Sequence, residues 1–68
     1  MNYLVSYFGK DYKRNNHEIS IYKNNKDGTY FIYYDKKFWN VINSLFELYN
    51  EINCIEGKYH VRIDFYGF

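Results

Sequence analysis

The chain has 68 residues, a formal net charge of +1, and ten Tyr, six Phe and one Trp beside no Pro, Ala or Gln. A 47% hydrophobic composition with so little net charge excludes the disordered class, and the near-neutral balance argues against non-specific nucleic-acid binding, which wants a basic excess. The single Cys54 excludes an internal disulfide.

In chain order, residues 2–8 read as a strand, since Tyr3, Leu4, Val5, Tyr7 and Phe8 favour a pleated surface. Residues 9–16 are polar and carry Lys10, Asp11, Lys13 and Arg14, which predicts an exposed loop. Residues 18–23 alternate, with Ile19 and Ile21 facing one way and Ser20 and Tyr22 the other. Asn24-Asn25-Lys26-Asp27-Gly28 marks a hairpin, because Gly takes positive φ without steric cost. Residues 29–34 form the returning strand, aromatic or β-branched on both faces.

Asp35 is read as a helix cap. Behind it Phe38, Ile42, Leu45 and Tyr49 recur at helical spacing, flanked by Val41, Leu48 and Ile52 on one side and Trp39 and Phe46 on the other. This predicts one helix over residues 36–53. Glu56-Gly57 is read as its stop. Residues 59–66 alternate again, with Tyr59, Val61, Ile63 and Phe65 opposite His60, Arg62, Asp64 and Tyr66, and the apolar Phe68 is expected to dock.

The expected fold is therefore α+β, a single compact domain over residues 1–68 in the order β-β-β-α-β. A three-stranded antiparallel meander packs one helix and receives a C-terminal strand. Running the helix back along the sheet predicts a last strand parallel to the first and third, beside the first in a 3-2-1-4 order.

One helix on one sheet face cannot absorb all of these rings, since a domain of about this length buries only about 60% of the surface its unfolded chain exposes. The second face, expected to carry Tyr22 and Tyr66 with either Tyr3 and Tyr7 or Tyr30 and Tyr34, reads as a contact surface. Cross-strand Tyr pairing that merely covers the sheet is the plainer alternative. Trp39, on the edge of the helix stripe, is read as a partner anchor or as a residue that completes the core. Lys10, Lys13 and Arg14 would set register by charge. Cys54 is read as a bystander, and no catalytic, metal or cofactor motif emerges.

A small cytoplasmic binding protein without enzymatic activity is the first expectation, for the chain shows no leader and no long apolar run. Its size, its lack of catalytic motifs and a residue choice favouring AT-rich codons resemble the small phage-encoded inhibitors of bacterial defence, anti-CRISPR proteins among them. That resemblance covers size and style, carries no site residue across, and implies a block of a host defence nuclease or its regulator by protein contact. Self-pairing into a homodimer through a strand edge is a second use of the same features. The alternative is a nucleic-acid-binding or toxin–antitoxin module, including an RNA-cleaving toxin built on His60, Arg62, Asp64 and Tyr66 with His17 or Glu18.

Overall fold

The computed structural model describes residues 2–66; the expectation for Phe68 lies outside them. The chain is α+β, with a five-stranded antiparallel sheet and one helix. Strands β1 (Asn2–Asp11), β2 (Asn16–Lys23), β3 (Tyr30–Tyr34) and β4 (Lys37–Ile42) form a meander. A 3₁₀ turn (Leu45–Glu47) then leads into α1 (Leu48–Tyr59) and β5 (Val61–Ile63), in the sheet order β4-β3-β2-β1-β5.

Each hairpin turn is built by local chemistry. In the first, the Arg14 N–H donates to the Asp11 carbonyl at 2.9 Å and Arg14 takes φ 66. The Asp11 carboxylate accepts from the Lys13 and Asn15 N–H groups. This is a three-residue loop ending in a left-handed residue, so half of the polar stretch read as a long loop is strand. The second turn closes at Asn24–Thr29 with Gly28 at φ 74, where it was expected. The third joins Tyr34 to Lys37 through Asp35 and Lys36, at φ 50 and 67. Two positive φ values in a two-residue loop are the type I′ pattern that matches strand twist.

That third turn overturns the expected helix over 36–53. Asp35 caps no helix: one carboxylate oxygen accepts from the Glu18 N–H at 2.9 Å, and the other meets His17. Phe38, Trp39, Val41 and Ile42 satisfy a strand as well as a helix, and β3 offers the ladder they pair with. The helix begins instead at Ser44, whose Oγ accepts from the Phe46 N–H while the Glu47 carboxylate accepts from the Ser44 N–H. This reciprocal arrangement is a capping box. Leu48, Ile52 and Ile55 are the buried stripe of α1. Gly57 lies inside the helix, and the stop is His60, at φ 54 with its N–H bonded to the Glu56 carbonyl. The eight-residue final strand shrinks to three because α1 and its cap take Tyr59 and His60, and residues 64–66 lie beyond the ladder.

The additional strand also corrects the direction of the last one. Four meander strands leave the chain at the opposite end of the sheet from three, so after α1 the chain enters β5 antiparallel to β1. Its expected place beside β1 holds. Gly9 is what admits it: a Cβ there would lie 2.0 Å from the Arg62 carbonyl oxygen, which is backbone and cannot yield.

The core lies between one sheet face and α1. Tyr7, Ile19, Ile21 and Ile32 from the sheet meet Leu48, Ile52 and Ile55 from the helix, all essentially without solvent exposure. Burying each aliphatic side chain contributes roughly 1.5–3 kcal/mol.

Candidate functional site: the open sheet face

The opposite sheet face carries no helix, and strand register sets its side chains in rows. Ser6, Ser20, Tyr33 and Phe38 lie side by side across β1, β2, β3 and β4, and Tyr3, Tyr22, Phe31 and Val41 form the next row. Two irregularities shape these rows. Between Tyr3 and Val5 the register slips by one residue, which puts Tyr3 on the open face and Tyr7 in the core. The shared parity expected of Tyr3 and Tyr7 therefore fails, and Tyr30 and Tyr34 face the core while Phe31 and Tyr33 face outward. A second slip at Trp39 lets Phe38 and Val41 face outward while Trp39 and Asn40 turn to α1.

The outward rings make one continuous ladder. Tyr3–Tyr22, Tyr22–Tyr33, Tyr33–Phe38 and Phe38–Phe31 meet edge to face, with centroids 5.7, 5.4, 5.8 and 6.2 Å apart. Such pairs contribute about 0.5–1.5 kcal/mol each beyond area burial, and they fix the rings relative to one another. Phe38, Tyr3 and Phe8 nevertheless stay 58–60% exposed.

Ser6 and Ser20 are small, so a groove of about 620 Å³ opens between Tyr3, Tyr22 and Tyr33 on one side and Phe8, Glu18 and Lys36 on the other. The two serines are its floor, each 7% exposed. The Tyr3 hydroxyl donates to Ser6 Oγ at 3.0 Å. Ser6 Oγ and Ser20 Oγ lie 3.1 Å apart, and each is 3.1 Å from Glu18 Oε2. A serine has one hydroxyl proton, so whichever way the pair is ordered, both protons are committed inside this network. What the floor offers to a visitor is acceptor lone pairs and a carboxylate.

At the turn end of the sheet His17 sits between two aspartates. Its Nε2 is 2.9 Å from Asp11 Oδ2 and its Nδ1 is 2.6 Å from Asp35 Oδ2. Both contacts are good only when both ring nitrogens carry protons. The Asp11 bond first, then that to Asp35, raises the His17 pKa, while the His17 bond and the Asn15 N–H lower Asp11 to about 2. The carboxylates approach opposite ring nitrogens, so they tie two turns together rather than converge on one point. Among the described residues no group of three or more His, Cys, Asp or Glu is placed to hold a metal ion. Behind this clamp, the Tyr34 ring stacks on His17 and Tyr59, and burial pushes its hydroxyl up to about 12.

The predicted contact residues do not gather in one place. Tyr22 is central to the open face. Lys10 is exposed two residues beyond Phe8 on the same side of β1, but its β2 partner Asn16 is six residues from Tyr22, about 20 Å along the strand. Lys13 and Arg14 stand in the first turn, with Lys13 Nζ 5.6 Å from the Tyr12 ring. Tyr66 is not beside Tyr22: its ring lies 4.7 Å from that of the core residue Tyr7, and its hydroxyl donates to the Ser6 carbonyl. Trp39 is half-buried against the core, with its Nε1–H donating to Glu51 Oε1 at 2.9 Å and Lys58 over its ring, so it staples β4 to α1. Phe46, which shares the flank of Trp39 in the expected helix and with it could anchor a partner or complete the core, is 96% exposed on the 3₁₀ turn, so it does not complete the core. His60, Arg62, Asp64 and Tyr66 form no common strand face, because His60 caps the helix and only Arg62 lies in β5. Cys54 is exposed on α1.

Tyr33, Phe31, Phe38, Phe8, Ser6 and Glu18 went unrecognised as parts of this surface. The signal for the first two was the double-sided aromatic character of residues 30–34; for Ser6 it was available only through its pairing with Ser20, which shares the parity of Tyr22.

No family model matches the chain, and neither curated proteins nor solved structures return a match. Among the described residues no helix is long and apolar enough to cross a membrane.

Proposed function

We propose that this is a non-enzymatic binding protein whose open sheet face docks another protein. The observation that carries this reading is the edge-to-face ladder of five rings held rigid over a groove with a polar floor. Tyr supplies contact area at low entropic cost, and rings already locked by their neighbours have little freedom left to lose on binding. Base stacking would use the same rings. The Glu18 carboxylate on the groove wall, and hydroxyl protons committed within the floor, oppose a phosphate backbone. The size-and-style resemblance to phage-encoded inhibitors names the target class to try first, a host defence nuclease or its regulator, blocked by occlusion.

The test is quantitative capture from host-cell lysate with the wild-type chain and with Tyr22→Ala/Tyr33→Ala. A protein retained by the first and lost by the second supports the reading, provided the variant keeps its amide dispersion. A partner held equally by both, or steeply salt-dependent binding of RNA or DNA instead, overturns it.

A further inference from the structure

We propose that the groove of the open face takes an arginine side chain from the partner. This deepens the preceding reading and rests on it. Three observations converge on that ligand chemistry.

The first is the donor–acceptor balance of the floor. Both serine protons are bound internally, and Glu18 Oε2 already accepts from the hydroxyls. Glu18 Oε1 has no hydrogen-bond partner among the described residues. A floor made of acceptors selects a ligand made of donors. Guanidinium has five N–H donors and no acceptor, whereas a carboxylate, a phosphate or an amide carbonyl reaching the floor would meet lone pairs facing lone pairs, with Lys36 on the wall as its cationic partner.

The second is the wall. Tyr3, Tyr22, Tyr33 and Phe8 surround the floor. Aromatic faces attract cations, and a planar guanidinium stacks on them as a compact, strongly hydrated ammonium does not.

The third is charge. Among the described residues no Lys or Arg forms an ion pair with Glu18. Lys36, at φ 67 in the type I′ turn, lines the groove and is exposed. The carboxylate is therefore left for a cation from outside, and Lys36 acts as a selectivity element: it repels a weakly committed cation and leaves room for one that also stacks and hydrogen-bonds.

The experiment follows backbone amide shifts of the whole chain during titration with N-acetyl-arginine N-methylamide, and with the lysine and glutamate analogues. Saturable shifts at Ser6, Glu18, Ser20, Tyr22 and Tyr33 with the arginine probe, weaker with lysine and absent with glutamate, are expected. Glu18→Gln keeps an acceptor for the serines but loses the charge, and it should weaken the arginine probe about tenfold or more, as loss of a charge-assisted hydrogen bond does. Lys36→Glu, equally tolerant of that φ, should tighten it. Absent shifts, an equal response to glutamate, or indifference to Glu18→Gln overturns the proposal. Should the arginine probe fail while Tyr22→Ala/Tyr33→Ala still releases a captured partner, the docking face stands and only its ligand chemistry is wrong. Should the double variant release nothing, the docking face itself falls.

Discussion

The two faces of this sheet are built from different residues and are finished in opposite ways. On the covered face Ile19, Ile21 and Ile32 interlock with Leu48, Ile52 and Ile55 to zero or near-zero exposure. On the open face aromatic rings meet edge to face with no second layer over them, and Tyr3 and Phe38 stay more than half exposed. Branched aliphatics close-pack against a helix because their shape fills the gaps between its side chains. Rings in a ladder brace each other without a second layer, so the open face is ordered before anything binds it. The tyrosines divide accordingly: Tyr7 and Tyr34 are inside, with Phe65 and Tyr59 as ring partners, while Tyr3, Tyr22 and Tyr33 are outside. Stability is thus assigned to one side of the thin sheet, and the proposed contact to the other.

The most severe way to break the covered side is Gly9→Ala. Its new Cβ would collide with the Arg62 backbone, so β5 must leave β1, and a loss of about 3 kcal/mol or more in urea unfolding is expected. Ile52→Ala removes a fully buried side chain from the middle of the core and should cost about 3 kcal/mol. The matched change on the other face, Phe38→Ala, loses edge contacts with Tyr33 and Phe31 only, and about 1 kcal/mol or less is expected. Equal losses for Ile52→Ala and Phe38→Ala would mean that the open face is itself buried in solution, and a concentration-dependent unfolding midpoint would then identify self-association.

Gly57→Ala sharpens the comparison in the opposite direction. A Cβ at this helical position meets nothing within 4 Å, so the covered side should gain about 0.5–1 kcal/mol with the open face unchanged.

The pH response is expected to be the smallest effect, because the clamp lies near solvent. His17 has a raised pKa in the fold, so its contribution is fully present below the ordinary histidine value and fades as pH rises through the raised one. Asp11, lowered to about 2, contributes above the ordinary carboxylate range and loses that contribution as pH falls toward 2. The thermal midpoint should therefore be highest between about pH 4 and 6.5. His17→Gln should remove the decline on the alkaline side, and an unchanged profile in that variant would discount the clamp.

Much of the meander was legible in the residues, and so was the region that became the site, though only Tyr22 of its ladder was singled out as a contact. The alternation in 18–23 and the Asp-Gly turn place β2 and β3 correctly, because side-chain parity and a glycine at positive φ are local properties. Ser44-Leu45-Phe46-Glu47 was an available signal for the true helix start, outweighed by a longer stretch of helical spacing. Asp35-Lys36 gave no such warning, since neither is the glycine that a type I′ turn usually takes.

What the sequence by itself determined is the class of object: one α+β domain with more ring surface than a single helix can cover, and with no cysteine pair to brace it. What only the tertiary structure decided is which rings go where. Phe38 and Trp39 suit helix and strand alike, and the free edge of β3 settled the matter by offering them a ladder. One slipped residue in β1 then sent Tyr3 and Tyr7 to opposite faces. A slip of register reverses every side chain beyond it, and it is chosen by the packing of the whole sheet, not by any residue's own preference.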